Sequence, residues 1–170
     1  MVVKIQLLIE KRRKSIKLLV MITADKLQRY SFFGGLTSEQ IDKYIIPLLV
    51  YKDFKFDEMI IREGETNDSI YFLLEGSVDI LKNNKVIAVL GEGQTVGEME
   101  LLDIMPAAAT VRARQPIKTA VISNKAIYQI YCDSCIVFAM LVMNLARDLS
   151  RRLRQMDEAY TALEYACFNR

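Results

Sequence analysis

The spacing of apolar positions divides the chain into a helical lead, a run of short strands and a helical tail. Over Ile5–Tyr30 the period is that of a helix. Ile5, Leu8, Ile9, Ile16, Leu19, Val20 and Leu27 fall on one face, and Lys11-Arg12-Arg13-Lys14 interrupt on the other. Gly34-Gly35 end that segment. Thr37-Ser38-Glu39-Gln40 then spells a capping box, which starts a helix running to about Ile46, where Pro47 stops it. From Tyr51 to Ile122 the pattern shortens to runs bounded by turn residues. These predict strands at Tyr51–Phe56, Met59–Arg62, Ser69–Glu75, Val78–Lys82, Val86–Leu90, Thr110–Arg114 and Lys118–Ile122. Asn83-Asn84 suits a hairpin turn, because asparagine tolerates positive φ. Ser123 or Asn124 can cap a short helix, Lys125–Tyr131. A long helix follows over about Ser134–Tyr165, with Val142, Leu145, Leu149, Met156, Ala159 and Leu163 at heptad spacing and Arg152 breaking the seam.

The pattern predicts a mainly β domain with flanking helices, the strands forming a jelly roll or barrel. A helical segment over 1–50 precedes the β region at 51–122, and helices at 123–170 complete a single domain. At 170 residues and 52% hydrophobic, the chain can bury a substantial core. A net charge of +2 with both signs interspersed leaves no nucleic-acid footprint. A chain stopping at Arg170 also leaves no room for a helix-turn-helix after the long helix, so no DNA binding is expected. Three cysteines without a secretion signal suit a cytoplasmic setting. No apolar run approaches the roughly 20 residues of a spanning helix. The basic N-terminal helix could lie on an anionic membrane, but its apolar stripe is too broken to seat well in lipid, so packing on protein is expected instead. Beyond Arg151 the long helix runs far from the β region and needs a partner to bury its apolar face, so a homodimer is expected through it.

Chemistry is sparse. The chain has no histidine, which removes the commonest general base and metal ligand. Cys132-Asp133-Ser134-Cys135 resembles a metal or redox pair, but no second pair accompanies it and it joins two helices, so a structural role and no metal are expected. Glu98 and Glu100 at i and i+2 on a helix point apart, so no catalytic carboxylate pair and no enzyme activity are expected.

The distinctive stretch is Val96–Ala113, V-G-E-M-E-L-L-D-I-M-P-A-A-A-T-V-R-A. A glycine turn opens a short apolar helix at Met99–Leu102, Pro106 blocks its continuation, and small residues lead into a β-branched pair, Thr110-Val111. This stretch resembles the phosphate-binding cassette of the cyclic nucleotide-binding domain family, which includes relatives of the bacterial catabolite activator protein and of protein kinase A regulatory subunits. Gly97, Glu98, Met99, Leu101, Leu102, Pro106, Ala108, Ala109, Thr110 and Val111 match the family pattern. Val96 replaces an aromatic residue, Glu100 a small residue, and Ala107 the arginine that pairs with the cyclic phosphate. Ile60–Glu65, Ile70–Gly76 and Leu90–Gly93 extend the likeness, which covers roughly Ser31 to Leu163.

The resemblance implies a regulatory sensor with cAMP, cGMP or a related small anion as ligand and no cofactor. It places Val96, Gly97, Glu98, Met99, Ala107, Ala108 and Thr110 at the ligand. Glu98 would accept a hydrogen bond from the ribose 2′-hydroxyl. The amides around Ala107–Ala108 and the Thr110 hydroxyl would face phosphate and base. Losing the arginine contact costs on the order of 2–5 kcal/mol, which weakens a micromolar site to roughly millimolar. Arg112 or Arg114 could replace it if their strand turns that face to the pocket. The alternative is a protein-interaction and dimerisation module of the same fold that no longer binds nucleotide.

Overall fold

The computed structural model describes residues 23–103 and 105–168. The basic segment Lys11–Lys14, expected on a helix, lies outside the described residues. Within them the lead is not one continuous helix to Tyr30. Thr23 is extended (φ −103°, ψ 159°) and its side chain accepts from the Lys26 amide, so it caps a new short helix, α1 (Ala24–Leu27). A threonine hydroxyl competing for the helix N–H groups explains why the apolar period overshoots this boundary. A 3-10 turn, Ser31–Phe33, follows. The capping box at Thr37 is present in both halves and starts α2 (Ser38–Tyr44). Pro47 lies inside a second 3-10 turn, Ile46–Leu48, rather than at a helix end. Removing the cap with Thr37→Ala should cost about 1 kcal/mol, read as a small drop in the thermal midpoint.

Eight strands follow: β1 (Val50–Phe54), β2 (Met59–Ile61), β3 (Ser69–Glu75), β4 (Ser77–Lys82), β5 (Lys85–Gly91), β6 (Thr95–Val96), β7 (Thr110–Ala113) and β8 (Ile117–Ser123). They form two four-stranded antiparallel sheets, ordered β1-β8-β3-β6 and β2-β7-β4-β5. The β region is thus a two-sheet jelly roll. The β4–β5 hairpin turns at Asn83 (φ 51°) and Asn84 (φ 60°), both left-handed as a tight hairpin requires. After the sheets come α4 (Asn124–Asp133), capped by the Ser123 hydroxyl, and α5 (Cys135–Phe168). The short helix between β6 and β7, α3, is Met99–Asp103.

Alternation along β3 builds two cores at once. Tyr71 and Leu73 face the second sheet, where Ile61, Val78, Val96, Ala107, Val111, Ala113, Ile117 and Val121 join them. Ile70 and Phe72 face the helices and pack with Phe33, Ile122, Ile130, Val137, Leu141 and Leu145. Tyr30 closes this second layer. Its hydroxyl donates to the Leu73 carbonyl at 2.7 Å, and burial pushes its pKa up to about 12, so it stays a neutral donor.

The start of α5 is pinned to the 3-10 turn. Asn144, buried, donates to the carbonyls of Phe32 (3.1 Å) and Gly34 (2.7 Å), and the Ser31 hydroxyl donates to Asp148. Asn144→Leu should leave both carbonyls without this donor and lower stability by about 2 kcal/mol, measured by chemical denaturation.

Candidate functional site

The end of β6 turns sharply into α3. Gly97 makes the turn at φ +85°, and any Cβ there would stand 2.5 Å from the Ser69 carbonyl oxygen, so the turn is built for glycine. The turn carries Glu98 inward, where it is 3% exposed. A cavity of about 300 Å³ opens beside it. Its apolar wall is Ile61, Ile80, Ala88, Leu90, Val96 and Val111, and its polar side is Gln94, Glu98, Arg152 and Gln155.

Arg152 comes from α5, which crosses over the cassette at this point. Its Nη1 donates to Glu98 Oε1, and its Nη2 donates to the Thr95 carbonyl at 3.3 Å. The carboxylate is nearly enclosed, whereas the arginine side chain is 40% exposed at the mouth. A buried carboxylate is costly without a counter-charge, so the ion pair accounts for Glu98 being tolerated there. It also ties the helix to the cassette.

The structure sorts the residues expected at a ligand. Val96, Gly97, Glu98, Met99 and Ala108 line the cavity together. Ala107 and Thr110 do not. Ala107 is packed in the core between the sheets, and its amide donates to the Glu65 carbonyl at 2.9 Å while its own carbonyl accepts from the Gly64 amide. That amide is therefore committed to the β2–β3 connection rather than to a phosphate. The Thr110 hydroxyl accepts from the Glu63 amide at 3.0 Å. Both residues hold the cassette in place from behind.

Arg112 and Arg114 are not replacements for the missing cassette arginine. Val111 and Ala113 take the inward positions of β7. Arg112 pairs outward with Asp57 (3.2 Å) and Asp79 (3.6 Å), and Arg114 with Asp79 (3.4 Å). Lys82 lies outside the cavity, bonded to Glu63 and to the Ala108 carbonyl. Sequence reasoning missed Arg152, Gln155 and Gln94. One signal was present: an arginine that interrupts an otherwise apolar heptad seam. Cys132 and Cys135 are exposed free thiols at the junction of α4 and α5, far in sequence from the cassette.

The site is thus a small cavity at a glycine–carboxylate turn of a two-sheet jelly roll, crossed by a C-terminal helix. Residues 51–133 match the cyclic nucleotide-binding domain. The chain is 36% identical over 90 residues to a cGMP-dependent protein kinase of Eimeria tenella, covering 53% of this chain and 9% of the kinase. To a cGMP-dependent protein kinase of Plasmodium berghei it is 29% identical over 127 residues, covering 75% of this chain and 15% of that one. It thus spans a small fraction of the length of these relatives. A solved cyclic nucleotide-binding domain from Methylobacillus flagellatus is similar with a TM-score of 0.70 at 26% identity, over 77% of this chain and 76% of that one. Residues 51–133 thus carry the cyclic nucleotide-binding domain match, and the fold resembles that solved member of the family. No described helix is long and apolar enough to cross a membrane.

Proposed function

We propose that this chain is a non-catalytic regulatory module that binds a cyclic nucleotide, cAMP or cGMP, in the cavity between the cassette and α5. The observation that carries the reading is Glu98, buried on the cavity wall at the family's carboxylate position and held there by a glycine turn. Its family role is to accept from the ribose hydroxyl. The apolar wall suits a base, and the exposed Ala108 lets a ligand come close to the chain. Affinity is weak, in the range of roughly 0.1–1 mM, because Ala107 supplies no guanidinium.

Titration calorimetry of cAMP and cGMP into the wild type and Ala107→Arg tests this. Ala107 sits among Ile61, Val96 and Val111, which also form the cavity wall. Ala107 is itself buried, so the arginine stem must displace these neighbours for its charge to reach the cavity, and circular dichroism of the variant is read beside the titration. Weak wild-type binding, tightened tenfold or more by Ala107→Arg, is expected. Absence of binding by both proteins overturns the reading.

The module acts as a homodimer in this proposal. Leu153, Met156, Tyr160 and Leu163 follow heptad spacing along α5 and are 60–68% exposed, a stripe that a second copy of the helix would cover. Sedimentation equilibrium should give a dimer, and Leu153→Asp with Leu163→Asp should give a monomer. The second reading, an interaction module without ligand, draws on the same stripe and on Arg152 already holding Glu98. Its signature is a dimer whose calorimetric trace is flat for both nucleotides.

A further inference from the structure

We propose that Arg152 is the cationic anchor of the cavity: it supplies, from α5, the contact to a ligand's anionic group that the cassette lacks at position 107. The proposal rests on the cavity being a nucleotide site, and deepens that reading by naming which residue meets the phosphate.

Arg152 is the one cation among the described residues lining the cavity. The basic residues nearest in sequence to the cassette are already engaged elsewhere. Arg112 and Arg114 hold Asp57 and Asp79 on the outer face of the second sheet, and Lys82 holds Glu63. Among the described residues, Arg152 is therefore the cation that an anion entering the cavity meets on its wall.

The guanidinium is suited to the task. Its contacts to Glu98 and Thr95 use two of five donors in a planar fork. A phosphate oxygen can be held by the remaining edge while the Glu98 contact persists. The side chain is 40% exposed, so it is partly hydrated and reachable from the mouth rather than sealed in the core. Its charge also offsets that of Glu98, so an anionic ligand faces a neutral polar wall instead of a bare buried carboxylate. Gln155, three residues further along α5, lines the same wall and places a second polar group from that helix face.

An anchor on α5 makes ligand binding depend on the helix crossing the cassette. The family's cassette arginine lies within the turn itself; an anchor at Arg152 links the turn to the helix that continues into the exposed apolar stripe. Occupancy is then reported directly to the distal helix.

The test uses the full chain, with cAMP and adenosine as probes, and compares the wild type with Arg152→Ala, Arg152→Lys, Glu98→Gln and the Glu98→Gln/Arg152→Ala double variant. Adenosine carries base and ribose but no phosphate. Arg152→Ala is expected to weaken cAMP tenfold or more and adenosine less than twofold. Arg152→Lys should retain cAMP binding within a few-fold. Because Glu98→Gln alone also alters the ribose contact, the double variant is read against it, and should bind cAMP tenfold or more weaker than Glu98→Gln.

Equal cAMP binding by the double variant and Glu98→Gln would overturn the proposal, since Arg152 would then only neutralise Glu98. Equal or tighter cAMP binding by Arg152→Ala would also overturn it, making the arginine a competitor for Glu98. If the wild type binds neither cAMP nor cGMP, the functional reading fails first and the anchor fails with it. Alanine is a strong helix former, so far-UV circular dichroism of Arg152→Ala should match the wild type.

Discussion

Phe72→Ala is expected to be among the most damaging single truncations in this chain, lowering stability by about 3–5 kcal/mol. Phe72 is fully buried at the centre of β3, where its ring meets Tyr30 (5.6 Å), Phe32 (5.5 Å) and Phe33 (4.9 Å). Those three aromatic residues all come from the short elements preceding the sheets, and the Phe32 carbonyl is one that Asn144 of α5 grips. Truncation would remove the surface on which the lead and the long helix are both seated, leaving a cavity that rings held by neighbouring backbone can only partly fill. For a chain of this size the thermal midpoint should fall by roughly 6–20 °C. Phe56→Ala, at a side chain 70% exposed, should change it by no more than a degree or two. A loss below about 1 kcal/mol for Phe72→Ala would show that the helical layer does not depend on β3.

The second large effect is expected at the cassette. Gly97→Ala should cost about 2 kcal/mol or more and reduce cyclic nucleotide affinity at least tenfold. At φ +85° an alanine is strained by roughly 1–2 kcal/mol. Its Cβ would also stand 2.5 Å from the Ser69 carbonyl oxygen and 3.1 Å from Ile61. The carbonyl belongs to β3 and cannot move cheaply, so the turn must shift and carry Glu98 with it. Gly93 provides the control. It has the same φ, +85°, but a Cβ there meets nothing within 4 Å, so Gly93→Ala should show the strain alone, roughly 1–2 kcal/mol, with affinity unchanged. Equal behaviour of the two variants in denaturation and titration would contradict the close approach of Gly97 to β3.

Much of the fold is legible in the sequence because its signals are local. The Thr37 capping box and the Asn83-Asn84 hairpin each depend on residues a few positions apart, and both appear in the structure. β6, only Thr95 and Val96, is too short for alternation to register, and is a strand only because it pairs with Tyr71 and Phe72. The boundary at Thr23 was hidden for the opposite reason: a long apolar period masked a single capping residue.

The site was half legible. Gly97 and Glu98 announce themselves as a turn and a carboxylate in a short motif. Arg152 lies 54 positions from Glu98, and no spacing rule connects a helix residue to a strand turn that far away. Alternation put Arg112 and Arg114 on one face but did not say which. Asp57 and Asp79, waiting on the outer face, decide it. Ala107 reads as a damaged ligand contact in the motif, and in the fold it is a core residue between the sheets.

The most direct test of the central claim, that a cyclic nucleotide occupies the cavity between the cassette and α5, is amide hydrogen exchange with and without saturating cAMP or cGMP. Slowed exchange is expected together at residues 94–99, 108–109 and 152–155, the stretches that bring the lining residues to the cavity from three separate parts of the chain. Protection confined to other surfaces, or none in the α5 stretch while the cassette is protected, would contradict it.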